Sequence, residues 1–289
     1  MAREWRRLLV EPARLQAAAA AAEPLALQPE EAHYLRRVLR LRPGDPLAVV
    51  DGAGHLWSAR LEEGGGVGGA AGSRPAPVLR LEQPLQAPLQ QQAAARPQLQ
   101  LAVALPRLDA DVLLRMVSEQ GIDRFTPLSA GRSVAADRLK PQRQQAIVRE
   151  ALEQCERLWL PQLQPEQDAA AWLGRPASPS ERRYLATTRR EGLLDLEVSL
   201  AAGATAEPRS AGAAASPLEG TPLERITVAI GPEGGWTAAE EEIALAAGWQ
   251  SVGLGEAILR TSTAAVTAAA LMVSWRRRLS CGTCLQPSP

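Results

Sequence analysis

Aromatic side chains are scarce in this chain: its 289 residues include seven Trp, two Tyr and one Phe. A hydrophobic core must therefore be built mainly from Leu, Val and Ala. Cysteine is rarer still, with three residues, and this excludes a small secreted domain held together by disulfides. Net charge is absent as well, because 32 basic residues balance 32 acidic ones. A surface that binds nucleic acid would have to be a local basic patch.

Long hydrophobic runs are also missing. No run of apolar residues approaches the ~18 that a membrane-spanning helix requires. The first ten residues are polar and rich in Arg, and the alanine run at residues 17–22 is too short for the apolar part of a signal peptide. The two His residues and the pair Cys281 and Cys284 lack the spacing of a metal site. We expect a soluble, cytoplasmic protein that holds no metal.

Two domains are expected from the length and from the composition of the chain. Three segments are rich in Gly, Pro, Ala, Gln or Ser and cannot bury much apolar surface: residues 62–77, 83–97 and 201–222. The middle segment best marks a domain boundary. We predict a small β domain over residues 1–82, a linker over 83–97, an α/β domain over 98–279 and a tail over 280–289.

The two predicted domains differ in their hydrophobic patterns. Short apolar runs at residues 47–50, 56–61 and 78–81 predict strands, and helical spacing over 30–40 predicts one helix, which together favour a small β-barrel. After residue 98, strands alternate with helices, and a capping box of Thr237 and Glu240 opens one of these helices. The strands are predicted at residues 99–104, 122–128, 184–186, 226–230 and 251–254, and the last helix at 263–279. This alternation predicts an α/β fold with a parallel sheet covered on both faces.

The sharpest local feature is a glycine-rich segment between a predicted strand and a predicted helix. The strand at residues 226–230 is followed by Gly231-Pro232-Glu233-Gly234-Gly235. Glycines allow a ligand to approach the backbone closely, and α/β folds bind ligands at the carboxyl ends of parallel strands. A tight turn without a ligand explains the same pattern equally well. A second segment, residues 253–264, repeats the arrangement, and its apolar Ile258 and Leu259 would suit the walls of a flat base.

Together these two segments resemble the RsmE family, the 16S ribosomal RNA (uracil-N3)-methyltransferases of the knotted SPOUT class. Further segments resemble the family in the same order along the chain: His33 to Asp45 with Asp51-Gly52, Ala104 to Arg107 with Glu119 and Gly121, Pro127-Leu128, Arg132 to Val134, and Glu150 to Pro161. The resemblance covers about residues 5–275, apart from the low-complexity segments. Several motifs in the correct order are much more specific than any one of them.

The resemblance implies a C-terminal parallel-sheet SPOUT domain with a trefoil knot, preceded by a small PUA-like β-barrel domain that binds RNA. It also implies S-adenosylmethionine as the methyl donor, 16S ribosomal RNA of the small subunit as the partner, and a homodimer. Cofactor binding is carried over from the family onto these residues: Leu105, Gly231, Pro232, Glu233, Gly234, Gly235, Leu254, Gly255, Ile258, Leu259, Arg260 and Thr261.

The implied reaction is attack by N3 of a uridine on the methyl carbon of the cofactor. Because N3–H is only weakly acidic, charge on the uracil ring must be stabilised. Arg132 and Arg260 are the candidates for this catalytic role, although an ion pair or a surface charge would also explain them. The sequence does not choose a general base among the carboxylates of the matched motifs, Glu119, Glu150, Glu153 and Glu233.

Candidate RNA-binding residues lie in the first domain: Arg7, His33, Arg36, Arg37 and Arg40.

Three positions depart from the family pattern: Ser262 stands where the family has Glu, Met116 where it has Lys or Gln, and Arg107 where it has Lys. Two alternatives therefore stay open beside the active methyltransferase. One is an RNA-binding protein of the same fold with weak or lost methyltransferase activity. The other is an unrelated α/β enzyme that binds a phosphate ligand at residues 231–235, although no Lys-Ser or Lys-Thr follows these glycines as in a P-loop.

Overall fold

The computed structural model describes residues 5–64, 76–133, 139–188, 190, 192–204 and 222–280. Cys281 and Cys284, Val134, and most of the segments at 62–77 and 201–222 lie outside these ranges. The chain divides into two compact units, Met1–Ala94 with Arg149–Leu160 (unit 1) and Ala95–Val148 with Pro161–Pro289 (unit 2). Within the described ranges, none of the helices has the length and hydropathy needed to cross a membrane.

Unit 1 is built on a six-stranded sheet with two helices. Its strands are β1 (Arg7–Leu9), β2 (Leu25–Ala26), β3 (Pro46–Val50), β4 (His55–Glu63), β5 (Pro77–Leu81) and β6 (Gln90–Gln91). Its helices are α1 (Pro12–Ala21) and α2 (Pro29–His33), and α2 continues into a π-helical turn at Tyr34–Val38. The sheet order is β1-β3-β4-β5-β2, with β6 beside β4. Only the β1–β3 pairing is parallel among those described for this sheet.

The strands predicted at residues 47–50 and 56–61 are confirmed as β3 and β4, and they form a hairpin whose turn shows why it forms. β3 and β4 pair in antiparallel register from Pro46 opposite Arg60 to Val50 opposite Leu56. Gly52 and Gly54 take positive φ angles of 69° and 100° between the strands. The Asp51 carboxylate accepts hydrogen bonds from the backbone N–H groups of Ala53 and His55 at 2.7 and 3.0 Å. Such Asx contacts stabilise a tight turn from within.

Part of the core of unit 1 comes from a distant segment of the chain. Leu152 and Leu158 are buried in one cluster with Leu9, Val50 and Leu56. Ile147, Ala151 and Cys155 recur at helical spacing and predict a helix here, which the structure confirms over Pro141–Cys155. This local pattern does not indicate which unit the helix packs against, because the apolar face of an amphipathic helix can be buried against any apolar surface.

Unit 2 is an α/β unit with a parallel sheet, as the strand–helix alternation predicts. Its strands are β7 (Gln98–Ala104), β8 (Arg124–Ser129), β9 (Gln162–Leu163), β10 (Gln167–Asp168), β11 (Glu181–Ala186), β12 (Arg225–Ile230) and β13 (Gln250–Val252). The helices of the chain from residue 98 onward are α3 (Ala110–Gln120), α4 (Pro141–Cys155), α5 (Ala169–Leu173), α6 (Leu196–Ala204), α7 (Ala238–Ala246) and α8 (Thr261–Ser280). The strand order is β10-β8-β7-β12-β11-β13, with β9 beside β8, and every described pairing is parallel.

The central strands of unit 2 are buried along almost their whole length. Every residue of β7 from Leu99 to Ala104 is buried, as is every residue of β12 from Ile226 to Ile230. Helix α8 packs against both strands, and small Ala side chains on α8 allow a close approach. Because β11 lies between β12 and β13, the loops that follow these three strands leave the sheet side by side. The sheet order thus brings distant loops to one edge, where α/β folds bind ligands.

Candidate functional site

A cavity of about 650 Å³ lies at the carboxyl ends of β11, β12 and β13. A volume of this size is typical of pockets that hold a small molecule or cofactor. Three loops surround it, at residues 187–195 (described at 187, 188, 190 and 192–195), 231–237 and 253–260. Most of the residues carried over from the family as cofactor-binding line the cavity, namely Gly231, Pro232, Glu233, Gly234, Gly235, Leu254, Gly255, Ile258, Leu259 and Thr261. Leu105 and Arg260 are not among its lining residues.

Sequence reasoning missed the loop after β11. Thr187, Thr188, Arg190, Leu193 and Asp195 all line the cavity. The available signal was weak, because β11 shows only a short apolar run and the loop itself has no glycine-rich motif. Only the strand order, which places β11 between β12 and β13, assigns this loop to the site.

The loop after β12 requires glycine at its first position. A Cβ atom on Gly231 would lie 3.1 Å from the indole of Trp236, which is closer than ordinary contacts allow. That indole cannot easily move, because Trp236 is buried and its Nε1 donates a hydrogen bond of 3.0 Å to the Ala186 carbonyl. Gly235, with φ of 71°, closes the turn through a bond of 2.8 Å from its N–H to the Pro232 carbonyl. The glycines therefore shape this wall of the cavity.

Arg132 fixes the same loop from outside the cavity. Its Nη1 donates hydrogen bonds to the carbonyl oxygens of Gly234 and Trp236, at 3.1 and 3.0 Å. The neighbouring Gly131 N–H donates to Glu240 Oε1 at 2.8 Å, and Glu240 is the buried partner of Thr237 in the capping box of α7. The predicted capping box is thus confirmed. The structure places the Arg132 guanidinium on loop carbonyls, which indicates a positioning contact.

The loops after β12 and β13 are joined by one buried hydroxyl. Thr261 Oγ1, at the start of α8, donates to the Gly231 carbonyl at 3.0 Å. Thr261 is 3% exposed, so the hydrogen bond is shielded from water. The last helix therefore begins at Thr261, two residues earlier than predicted, and Ser262 lies within its first turn. This bond makes the two motif loops a single structural element.

Asp195, in the loop after β11, holds the loop after β13 by a hydrogen bond. Its Oδ1 accepts a hydrogen bond of 3.3 Å from the Gly255 N–H. A Cβ atom on Gly253 would lie 2.9 Å from the same oxygen, so a larger residue here would displace the Asp195 carboxylate. Gly255 itself has φ of 111°, a conformation that other residues rarely adopt.

Arg260 differs from Arg132 in its surroundings. Its side chain is exposed, and no ion pair or hydrogen bond of its guanidinium occurs among the described residues. The adjacent Ile258 is 64% exposed although it lines the cavity. Arg260 thus lies between two lining residues, Leu259 and Thr261, with its own side chain exposed to solvent.

The candidate RNA-binding residues of unit 1 fall into two places. His33, Arg36, Arg37 and Arg40 lie on or next to the π-helical turn, and all but the half-buried Arg36 are exposed. Arg7 lies on β1 and is tied to Glu156, with Nη1 at 2.6 Å from the Glu156 carbonyl and Nη2 at 3.2 Å from Oε2. Across the part of the chain that the structure describes, no cluster of His, Cys, Asp and Glu that could hold a metal ion is found.

Two family models match the chain. The model described as the RNA methyltransferase domain matches residues 94–273. The model described as the RNA methyltransferase PUA domain matches residues 27–66. These matches fall on both units.

Two sequence relatives from different bacteria carry the same name. A protein from Synechocystis named ribosomal RNA small subunit methyltransferase E is 34% identical over 250 residues, which is 82% of this chain and 69% of that protein. A protein of the same name from Mycobacterium tuberculosis is 27% identical over 83% of this chain and 82% of its own length.

Solved structures show the same fold. A ribosomal RNA small subunit methyltransferase E from Neisseria gonorrhoeae, bound to S-adenosyl methionine, superposes with a TM-score of 0.62 at 25% identity, and covers 86% of this chain and 90% of that one. A protein from Legionella pneumophila with bound SAM superposes with a TM-score of 0.66 at 22% identity, over 87% of this chain and 92% of that one.

Proposed function

The chain belongs to the RNA methyltransferase family whose curated members are named ribosomal RNA small subunit methyltransferase E, and on this premise we propose that the cavity of unit 2 binds S-adenosylmethionine beside a uridine of small-subunit ribosomal RNA. Unit 2 has the SPOUT fold and unit 1 is PUA-like. The activity is that of an S-adenosylmethionine-dependent ribosomal RNA (uracil-N3)-methyltransferase, as the family name implies. This family membership argues against an unrelated phosphate-binding enzyme, and it favours the active enzyme over an RNA-binding protein without activity.

The proposal is supported mainly by one observation: three loops of unit 2 line the same cavity. Glycines at 231, 253 and 255 keep the backbone open where side chains would collide or strain it. Leu254, Ile258 and Leu259 offer apolar walls to a purine. Glu233 and Asp195 add carboxylates that can face the cationic groups of the cofactor. The residues present therefore fit S-adenosylmethionine, which supplies an electrophilic methyl carbon when bound.

The protein's own contribution is to position the uridine and to stabilise charge on its ring. As the N3–H proton leaves, negative charge spreads onto the uracil oxygens. The exposed guanidinium of Arg260, which lies between the lining residues Leu259 and Thr261, is the group that we propose donates hydrogen bonds to such an oxygen. A preformed donor of this kind acts mainly on the transition state, because charge develops there. Arg132 acts differently, because its hydrogen bonds hold the loop after β12, which lines the proposed cofactor cavity.

Replacing Arg132 with alanine is expected to weaken binding of S-adenosylmethionine about tenfold, because two loop carbonyls lose their donor. The kcat at saturating cofactor should change much less. Titration calorimetry with the cofactor and steady-state kinetics separate the two effects. If R132A instead lowers kcat with unchanged cofactor affinity, Arg132 acts on the reacting uracil directly, as its catalytic assignment from sequence would have it.

Replacing Thr261 with valine tests the link between the two motif loops. The variant keeps the shape but leaves the buried Gly231 carbonyl without a donor, so cofactor affinity is expected to fall about tenfold. The matched variant T261S retains the hydroxyl and should bind within about twofold of the unchanged protein. Equal binding by T261V and T261S would mean that the hydrogen bond does not support the cavity.

The remaining partners are part of the same proposal. We expect unit 1 to contact ribosomal RNA of the small subunit through the basic residues of the π-helical turn. We also expect a knotted α/β unit, a homodimer, and a location in the cytoplasm with the ribosome, as family membership favours.

The decisive experiment is methyl transfer from labelled S-adenosylmethionine to small ribosomal subunits that lack the modification, with nucleoside analysis of the product. Labelled N3-methyluridine is the expected result, and it would make Ser262 a tolerated replacement for the family's Glu. No label in a preparation shown to bind the cofactor would favour the inactive RNA-binding protein. Restoration of activity by Ser262→Glu would then identify that position as the cause.

A further inference from the structure

Unit 1 contains a second cavity, of about 400 Å³, that the reaction in unit 2 does not use. It is lined by Trp5, Arg6, Arg7, Tyr34, Glu153, Gln154 and Glu156. Its size lies in the range of pockets that hold small ligands. Two of the chain's ten aromatic side chains lie here together with two carboxylates and two arginines, so its composition differs from that of an ordinary surface cleft.

One of the two carboxylate oxygens of Glu153 accepts a hydrogen bond from the backbone in this cavity. Its Oε1 accepts a hydrogen bond of 2.8 Å from the Leu9 N–H, and the Leu9 carbonyl accepts one of 2.8 Å from Arg149. No hydrogen bond to Oε2 occurs among the described residues. The backbone of β1 thus fixes the orientation of the carboxylate, and its second oxygen remains available to a ligand.

Burial of Glu153 has a cost that the surrounding charges do not remove. Desolvation raises the pKa of Glu153 to about 7, against the Leu9 hydrogen bond and the Arg149 charge, which lower it. Glu150 and Glu31 add to the rise. A carboxylate in a cleft whose ionised form is disfavoured is a candidate for a functional site.

Two of the seven side chains that line the cavity are aromatic. Trp5 packs on the cluster that contains Leu9 and Leu158, and Tyr34 packs on the main core of unit 1, so both rings are supported from behind. Both side chains are half-buried. Burial, followed by the Glu153 charge, raises the pKa of Tyr34, so its hydroxyl keeps its proton. Proteins that read single-stranded RNA stack bases on such rings and bind the Watson–Crick edge with polar groups.

Two arginines line the cavity, and they differ in their ion pairs. Arg6 is exposed and makes no ion pair within the described residues. Arg7 is paired with Glu156. A free arginine beside an aromatic pocket suits the phosphate that follows or precedes a bound base.

We propose that this cavity receives one unstacked guanine of the substrate RNA, with Glu153 accepting hydrogen bonds from N1–H and from the N2 amino group. The proposal rests on the proposed function, because it takes RNA as the substrate. Guanine is favoured because it alone among the four bases offers two adjacent N–H donors on its Watson–Crick edge. An ionised carboxylate accepts such a pair and retains capacity for the Leu9 N–H.

Binding of nucleoside 5′-monophosphates to the full-length protein tests the proposal without any methyl transfer. Guanosine monophosphate should shift the ¹⁵N–H resonance of the Trp5 indole and bind about tenfold more tightly than the inosine, cytidine or uridine monophosphates, since inosine lacks the N2 amino group. Glu153→Gln should remove this preference. Glu150→Gln, which deletes the same charge from an exposed position on the same helix, should retain it. Equal binding of all nucleotides, or an unchanged preference in E153Q, would overturn the proposal.

The pH dependence gives a second readout. The preference for guanosine monophosphate should grow between pH 6 and pH 8, as Glu153 ionises beside Arg149, Glu150, Glu31, Tyr34 and Arg6. In kinetics with small ribosomal subunits, E153Q should raise KM about tenfold while kcat and cofactor affinity stay within about twofold. If the unchanged protein transfers no methyl group, the proposed function fails, but nucleotide binding still decides the role of this cavity.

Discussion

Replacing Arg260 with alanine is expected to lower kcat for methyl transfer to small ribosomal subunits about 100- to 1,000-fold, the loss seen when one preformed donor to a developing oxyanion is removed. The reason is that the guanidinium groups of Arg132 and Arg260 differ in their hydrogen bonds. The Arg132 guanidinium donates to two loop carbonyls, whereas the Arg260 side chain, between the lining residues Leu259 and Thr261, is exposed and makes no described hydrogen bond. Affinity for S-adenosylmethionine, measured by calorimetry, should stay within about threefold, because no described hydrogen bond of the Arg260 side chain supports the cavity.

Two further variants separate charge from geometry. R260K keeps the positive charge but not the planar pair of donors, so it should recover only part of the activity. R277A removes a charge from an exposed position on α8 and should leave kcat unchanged. A tenfold or larger loss of cofactor affinity in R260A, with an unchanged kcat, would show that Arg260 belongs to the cofactor site and not to the reacting uracil.

Replacing Glu153 with glutamine is expected to stabilise the protein at high pH. The folded-state pKa of Glu153 is raised from 4.5 to about 7. The sign follows from this rise: stability is fully present below pH 4.5 and is lost as the pH increases through 7, where the folded protein must hold a buried charge. The shift corresponds to at most roughly 3 kcal/mol in the free energy of unfolding. E153Q avoids this cost and can still accept the Leu9 N–H.

Urea unfolding at pH 5 and pH 8 measures the effect. The stability gain of E153Q over the unchanged protein should be large at pH 8 and small at pH 5, whereas E150Q should show little difference at either pH. A loss of stability in E153Q at both values would instead make Glu153 a structural residue. A gain at pH 8 would mean that the carboxylate is kept at a cost to stability, which is the pattern expected of a binding group.

The parallel sheet and most of the candidate site could be predicted because their signals are local. Continuous apolar runs predict the buried strands β7 and β12, and glycines after strands indicate loops that approach a ligand. The capping box of α7 depends on two residues three apart, so it is also readable from the sequence. The cofactor residues came from the family resemblance, and the structure brings most of them around one cavity.

What could not be predicted depends on contacts between distant residues. The loop at 187–195 belongs to the site only because β11 lies between β12 and β13. The hydrogen bonds of Arg132 join residues about 100 positions apart, so its positioning contact is invisible in the sequence. Helix α1 was missed because its alanine run has hardly any amphipathic pattern. β1 was missed because three residues that pair in parallel with β3 carry no hairpin signal.

The contribution of residues 149–160 to the core of unit 1 has a consequence for how the protein is made. The chain emerges from the ribosome from its N-terminus, at about 5–20 residues per second. The apolar faces of Leu9, Val50 and Leu56 must therefore wait, uncovered, until Leu152 and Leu158 have been synthesised. During these seconds the nascent chain exposes a hydrophobic surface of the kind that chaperones bind. The N-terminal unit thus matures only when the following unit is already partly translated, and the two are coupled in time.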